Sequence, residues 1–222
     1  MLSIPFFRNT LLAEVFFMEL TVKQRKETGA FYTPKIWADL SVKKIKEVVP
    51  DMESYFFYDP AAGEGALLEA LPKGCVKYGT SLEWEDVEIL RNKGIMSHQM
   101  DFFEKNEEND DWFEYLKEKD NLIIFMNPPF FKLNSKNESF AYKNYGNHDS
   151  TALFFYRILK EINPVLVCSW NKLDLYSGSM SAKFREDIKW WERLIGRPII
   201  TPSESWGLSG KFPIGFQILH GQ

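Results

Sequence analysis

The sequence feature that most constrains the fold of this chain is a short apolar run that stops at two prolines. Leu122–Met126 contains only apolar residues, which is typical of a central strand in a parallel sheet that is covered on both faces. Pro128 and Pro129 end the strand, because neither has a backbone N–H to donate and each fixes φ at about −65°. Asn127 is therefore expected just beyond the carboxyl end of a strand, where open α/β sheets bind their ligands.

The residues at this corner suit the alkylation of an aromatic amine. The lone pair of such an amine is conjugated into the ring, so the amine is a poor nucleophile. Two acceptors for its N–H groups would draw it toward a tetrahedral geometry, and the Asn127 side-chain oxygen and the Pro128 carbonyl are the candidates. Phe130 would stack on the base. The alternative is an ordinary Pro-Pro loop after a core strand.

A helix start is predicted upstream, at Thr33 and Pro34. A hydroxyl residue before proline is typical of an N-cap that is followed by the first helical position. Apolar residues at helical spacing then predict an amphipathic helix that ends at Pro50. The N–H groups at such a start favour a carboxylate, and the same pattern also describes an ordinary capped helix.

A turn of small residues follows a strand-like aromatic run at residues 55–58. The turn reads Asp59-Pro60-Ala61-Ala62-Gly63-Glu64-Gly65 and leads into a helix. Glycine at positions 63 and 65 would let the backbone approach a ligand closely. The turn lacks the third glycine of the dinucleotide fingerprint, and the chain has no Gly-Lys-Ser/Thr, so neither an NAD or FAD site nor a nucleotide P-loop is predicted.

Acidic residues end the next two predicted strands. Glu83 follows the first of them, where a carboxylate can accept both hydroxyls of a ribose, and Trp84 would stack on an adenine. Asp101 and Phe102 follow the second, which is predicted at residues 95–100. The alternative for Glu83 is a solvated side chain at a strand end.

The segment after the proline corner, residues 131–150, shows neither helical nor strand periodicity. A loop of this length in a compact domain is usually functional or mobile, and Lys132, Lys136 and Lys143 would meet phosphates there. His148 and Asp149 form a possible acid–base pair, but a helix N-terminus explains them as well. A helix at 151–162, a strand at 165–170, a helix at 181–195 and a glycine-rich loop leading into a final strand at 206–220 are expected next.

Charge is distributed unevenly along a chain whose net charge is −4. Residues 1–130 carry 15 basic and 23 acidic side chains, whereas residues 131–222 carry 12 basic and 8 acidic ones. The second half is thus the predicted phosphate-facing surface, unless the asymmetry is ordinary surface scatter. Cys75 and Cys168 match no metal spacing, which predicts a cytoplasmic protein without structural metal.

These motifs together resemble the S-adenosylmethionine-dependent DNA adenine N(6)-methyltransferases of restriction-modification systems. Asn127–Phe130 resembles their motif IV, and the turn at 59–65 resembles motif I. The segment at 26–34 resembles motif X, which holds the methionine part of the cofactor, and residues 206–220 resemble motif VIII. Motif X before motif I is the order of the gamma-type enzymes.

The resemblance implies a Rossmann-like class I methyltransferase, an α/β fold with a seven-stranded, mostly parallel sheet and helices on both faces. It implies S-adenosyl-L-methionine as cofactor and DNA as partner. The implied catalytic residues are Asn127, Pro128, Pro129 and Phe130. The implied cofactor-binding residues are Phe31, Tyr32, Thr33, Asp59, Ala61, Gly63, Gly65, Glu83, Trp84, Asp101, Phe102 and Asn127. The implied nucleic-acid contacts are Phe130, Lys132, Lys136, Lys143, Lys211 and Phe212.

One departure from the family concerns specificity. Gamma-type enzymes usually carry a target-recognition domain after motif VIII, and this chain stops at Gln222. A separate specificity subunit, the 131–150 segment or a missing domain would then read the site. The expected domains are a helical extension at 1–25 and a catalytic domain at 26–222. The alternatives are a methyltransferase for an RNA base or a glutamine amide, and a decayed module that only binds the cofactor or a partner.

Overall fold

The computed structural model describes residues 33–208 and 211–221. Its strands are β1 Phe56–Asp59, β2 Val76–Ser81, β3 Met96–Gln99, β4 Leu122–Met126, β5 Leu166–Lys172, β6 Leu194–Pro202 and β7 Pro213–His220. They form one sheet in the order β3-β2-β1-β4-β5-β7-β6. The first five strands are parallel, and β7 runs antiparallel to both of its neighbours, β5 and β6. The predicted seven-stranded, mostly parallel sheet is confirmed.

Short helices connect these strands. They are α1 Lys35–Val48, α2 Ala66–Ala70, α3 Trp84–Asn92, α4 Glu107–Lys117, α5 Phe140–Tyr145, α6 Ser150–Arg157, α7 Asp174–Ser177, α8 Ala182–Asp187 and α9 Trp190–Arg193. A π-helical turn, Ile158–Ile162, extends α6. Within the described residues, no helix is both long and apolar enough to span a bilayer.

Strand β4 lies at the centre of the core, as its sequence predicts. All five of its residues are buried, and their side chains alternate between the two faces of the sheet. Ile124 and its face belong to a cluster covered by α4, α6, α8 and α9. Phe125 and its face belong to a second cluster, covered by α1, α2 and α3. Burial on both faces explains why the strand contains no polar residue.

The prediction of a single helix at 181–195 is wrong. Two short helices, α8 and α9, take its place, because Lys189 adopts a left-handed conformation with φ 55° and interrupts the hydrogen-bond ladder. Leu194 and Ile195, which extended the apolar pattern, already belong to β6. This long antiparallel edge strand was not predicted from the residues themselves.

Two local predictions near the proline corner also need correction. The segment at 131–150 is not a structureless loop, because it contains α5 and a bridge between Lys132 and Asp149. Thr33 does not cap α1, because Pro34 occupies the N-cap position and no side chain caps the helix. Phe31, Tyr32 and the extension expected at 1–25 lie outside the described residues.

The strand order places a ligand crevice between β1 and β4. From β1 the chain moves outward to β2 and β3 and then returns to pair β4 with the other edge of β1. The connections on the two sides of this point diverge, which leaves a gap at the carboxyl ends of the strands.

Candidate functional site

A cleft of about 350 Å³ lies at this point, at the carboxyl ends of β1, β2 and β4. Its lining includes nine of the residues predicted from the sequence: Thr33, Asp59, Ala61, Gly63, Glu83, Asp101, Phe102, Asn127 and Pro129. Four described residues from the catalytic and cofactor-binding predictions lie outside the lining: Gly65, Trp84, Pro128 and Phe130. The volume is within the range of about 300 to 1,000 Å³ that is usual for small-molecule sites.

Asp59 forms the floor of the cleft at the end of β1. Its side chain is buried, and the carboxylate accepts a hydrogen bond from the Ala61 backbone N–H at 3.0 Å. Burial raises the pKa of this carboxyl to about 7, and the Ala61 bond only partly opposes the shift. The charge of Asp59 is therefore sensitive to any charged group that enters the cleft.

The two glycines of the turn differ in what they contact. Gly63 lines the cleft with φ 50°, a left-handed conformation that favours glycine. Gly65 has φ 85°, and a Cβ there would lie 2.5 Å from Leu90 Cδ2 and 3.2 Å from Ile95 Cδ1. Packing against α3 and its following loop therefore requires glycine at position 65, apart from any ligand.

Two carboxylates reach the cleft from the start of α3. Glu83 is the exposed N-cap residue, and Asp86 lies one turn later, where Ser81 Oγ donates to its Oδ2 at 2.9 Å. Sequence reasoning missed Asp86, although its position three residues after Glu83 places both on one helix face. Trp84 instead points to the solvent side, 46% exposed, with the Arg91 guanidinium 5.0 Å from its ring.

The charges in the cleft define what kind of ligand it suits. The described residues that line it include the carboxylates Asp59, Glu83, Asp86 and Asp101, but no Lys or Arg. This set suits a ligand with cationic groups and hydroxyls and opposes one with several phosphates. The remaining lining is largely apolar and includes Met100, Phe103 and Phe154. No group of three or more metal-ligating side chains occurs among the described residues.

Asn127 lines the cleft directly after β4. Its Nδ2 donates to Thr33 Oγ1 at 3.2 Å, which links the carboxyl end of the strand to the residue before the α1 cap. Two prolines follow, so the backbone on the other side of Asn127 has little freedom. The amide is thus held from both directions.

The first turn of α6 forms hydrogen bonds with Pro129 and Phe131, which follow Asn127 and Pro128. Ser150 Oγ donates to the Pro129 carbonyl at 2.5 Å, and Thr151 Oγ1 lies 3.3 Å from the same oxygen. The Phe131 backbone N–H donates back to Ser150 Oγ at 3.0 Å. Ser150 is fully buried, so these bonds form where no water competes for them. Sequence reasoning missed this residue.

Phe130, which the sequence predicted to stack on a base, is packed into the core. It is 9% exposed and belongs to the same cluster as Phe125. The Lys172 ammonium lies 5.6 Å from its ring and 4.9 Å from the ring of Phe212, so the two aromatic residues share one neighbour. A smaller cavity of about 80 Å³ adjoins this group and the proline corner.

The predicted phosphate-binding lysines are dispersed over the surface, and two of them are paired. Lys132 forms an ion pair with Asp149 at 2.5 Å, and Lys143 forms one with Glu138 at 2.5 Å. Asp149 also caps α6, since its carboxylate accepts from the first backbone N–H groups of the helix. This geometry confirms the helix-start interpretation of Asp149. Lys136 and Lys211 are exposed.

A buried arginine supports the cleft wall from behind. Arg157, at the end of α6, is 0% exposed and pairs with Glu161 at 2.9 Å. Its Nη1 donates to the carbonyls of Phe102 at 2.5 Å and Glu104 at 2.8 Å. Phe102 in turn stacks on Phe154 of α6, with ring centroids 4.6 Å apart. The arginine therefore fixes the loop that carries Asp101 and Phe102.

No family model and no curated protein sequence matches this chain. Solved structures do. A methyltransferase subunit of a type I restriction-modification system from Streptococcus thermophilus is 19% identical, with a TM-score of 0.58, 86% of this chain covered and 44% of that one. A "putative class I S-adenosylmethionine-dependent methyltransferase" from Listeria monocytogenes is 14% identical, with a TM-score of 0.59, 85% of this chain covered and 60% of that one.

The 23S rRNA methyltransferase ErmE is a further neighbour, 12% identical with a TM-score of 0.54. The match covers 86% of this chain and 68% of ErmE. These likenesses define the fold as that of the class I S-adenosylmethionine-dependent methyltransferases. S-adenosyl-L-methionine is the cofactor expected for this fold. The chain spans about half the length of the Streptococcus and Listeria proteins, at 44% and 60%.

Proposed function

We propose that this chain is a methyltransferase that transfers a methyl group from S-adenosyl-L-methionine to the exocyclic amine of adenine in DNA. One observation carries the proposal: Asn127 and Pro129 line the same cleft as the Asp59 turn and Glu83. The proposed acceptor for an aromatic amine would therefore lie beside the proposed site for a cationic nucleoside.

The lining fits the proposed cofactor. Its carboxylates match the sulfonium, the ammonium and the ribose hydroxyls, with Glu83 as the proposed ribose acceptor and Asp101 as the proposed adenine acceptor. Phe31, Tyr32, Thr33 and the turn at 59–65 remain the proposed contacts for the rest of the molecule. When bound, S-adenosylmethionine supplies an electrophilic methyl group.

The residues of the corner would prepare the amine. The Asn127 side-chain oxygen and the Pro128 carbonyl accept its two N–H groups, which returns the lone pair to nitrogen. Phe212 would contact the ring of the base, whereas Phe130 is packed into the core. A base inside a duplex does not reach Asn127, so the target nucleotide leaves the stack or comes from a single strand.

The proposed partners are DNA and a separate specificity subunit. The Streptococcus neighbour is itself a subunit of a type I restriction-modification system and is more than twice as long as the matched region. Lys132, Lys136, Lys143 and Lys211 are the proposed phosphate contacts, and two of them are exposed outside any ion pair described above. Electrostatic attraction from so few cations is weak on a chain of net charge −4.

An RNA base is the second candidate acceptor. The neighbour ErmE methylates 23S rRNA by name, and its length is closer to that of this chain than the length of the Streptococcus subunit is. The corner residues would act on an RNA adenine in the same way. A glutamine amide and a decayed, non-catalytic module are the remaining alternatives.

Calorimetry and methyl transfer together test the proposal. S-adenosylmethionine should bind the wild type in the micromolar range, and Glu83→Ala should weaken this binding. The matched control is Glu85→Ala, because Glu85 is exposed on the same helix but does not line the cleft. Asn127→Ala should transfer no methyl even at cofactor concentrations that saturate it.

Labelled methyl is then offered with mixed-sequence DNA, with RNA and with glutamine-containing peptide in parallel. Label recovered as N(6)-methyladenine from DNA supports the proposal. Label in RNA or peptide alone changes the acceptor, and binding without any transfer indicates a missing subunit or a decayed enzyme. Absence of cofactor binding would refute the enzyme hypothesis.

A further inference from the structure

The hydroxyl of Thr33 serves a purpose other than the capping that its sequence position predicts. It is 7% exposed, and no side chain caps α1. Instead its Oγ1 accepts a hydrogen bond from Asn127 Nδ2 at 3.2 Å, across 94 residues of the chain. Both side chains line the cleft.

This bond anchors the Asn127 amide in the orientation that the structure shows. A primary amide has an oxygen that only accepts and an NH₂ group that only donates. With Nδ2 directed at Thr33, the oxygen lies on the opposite side of the amide. A reversed amide would accept from the Thr33 hydroxyl instead, and it would present N–H groups to an amine that itself needs acceptors.

We propose that Thr33 is a positioning residue that anchors the Asn127 amide through its Nδ2 and leaves the amide oxygen on the opposite side. The kinetic consequence rests on the proposed function, whereas the hydrogen bond does not. Thr33 sits before a proline and a helix of 14 residues, so its own position is fixed by the packing of α1. The orientation of the amide is thereby tied to an element far from it in sequence.

Valine and serine at position 33 separate the hydroxyl from the shape of the side chain. Thr33→Val keeps the shape and removes the acceptor, so kcat should fall on the order of tenfold to a hundredfold, the cost of misplacing a reacting group. Thr33→Ser restores the acceptor and should recover most of kcat. Cofactor affinity, measured by calorimetry, should fall by less than kcat in Thr33→Val, because the valine keeps the shape with which Thr33 would contact the cofactor.

Thr201→Val is the matched control. Thr201 is also a buried threonine, and its Oγ1 accepts from Trp206 Nε1 at 2.8 Å, outside the cleft lining. It reports the effect of losing a buried hydroxyl by itself, and kcat should persist. If cofactor affinity falls in Thr33→Val at unchanged kcat, the hydroxyl binds the cofactor and the proposal is overturned.

An experiment without turnover tests the bond directly. In ¹⁵N NMR, the side-chain NH₂ of Asn127, assigned with Asn127→Ala, should exchange with solvent more slowly in the wild type and in Thr33→Ser than in Thr33→Val. Equal exchange in all three proteins would overturn the proposal. If no acceptor is methylated at all, the proposed function fails, and this comparison still decides the role of Thr33. Thr33→Ala replaces Thr33→Val if the valine variant does not fold.

Discussion

The buried carboxyl of Asp59 should make cofactor binding depend on pH. Burial raises its pKa from 3.8 to about 7, so in the protein without ligand roughly half of the molecules hold this proton at pH 7. Asp59 lines the cleft, and a cationic ligand there favours the charged form. Binding should therefore release about half a proton per cofactor at pH 7.

The size of the effect follows from the fraction of Asp59 that is ionised. With a pKa of about 7, that fraction is about one tenth at pH 6 and about nine tenths at pH 8. If the bound form is ionised throughout this range, the Kd for S-adenosylmethionine should fall on the order of tenfold between pH 6 and pH 8.

Calorimetry at pH 6, 7 and 8, in phosphate and in Tris, measures both the affinity and the released proton. Asp59→Asn should remove the part of the pH dependence and of the proton release that comes from Asp59. The amino group of the cofactor titrates at about 7.7 to 8.0, but it contributes equally to both proteins. An identical pH dependence in the wild type and in Asp59→Asn would refute the reasoning.

The same group should shape the stability of the protein without ligand. Its folded pKa lies above its unfolded one, so its contribution is fully present below about pH 4 and is lost as the pH rises to about 7. Urea denaturation of the wild type should show this decline, and Asp59→Asn should flatten it. A slope of the opposite sign would contradict the burial of the carboxyl.

Three further substitutions test the supports of the cleft by urea denaturation. Arg157→Met should lower the free energy of unfolding by roughly 3 to 5 kcal/mol, because it leaves the Glu161 carboxylate without its buried partner. Ser150→Ala should cost roughly 1 to 3 kcal/mol through lost buried hydrogen bonds. Gly65→Ala should cost roughly 1 to 3 kcal/mol from its φ of 85°, and more if Leu90 does not move. If the urea denaturation midpoint of a variant equals that of the wild type, the contact that its substitution removes does not stabilise the protein as described.

The elements that the sequence predicts well are those whose reasons are local. The β4 run is entirely apolar and ends at two prolines, so its limits agree with the structure. Asp59 ends a short strand, Glu83 and Asp101 each follow one, and the carboxyl ends of parallel strands meet at one edge. Convergence of these acids on one cleft follows from that geometry alone.

The elements that it predicts poorly depend on distant partners. Arg157 interrupts an apolar helix and would suggest a solvated position, yet its partners are carbonyls 55 and 53 residues away. Ser150 likewise meets Pro129 from 21 residues away. Trp84 adjoins Glu83 in sequence, but the start of α3 turns its ring away from the cleft. Periodicity contains no information about such contacts.

Helix α6 holds one wall of the cleft at each of its ends. Ser150 donates a hydrogen bond to Pro129 at one end, and Arg157 donates one to the carbonyl of Phe102 at the other. Eight residues at about 1.5 Å each make α6 a ruler of about 12 Å, and one inserted residue would rotate its ends by about 100° relative to each other. A designer who grafts new loops onto this scaffold must therefore keep α6 at its present length.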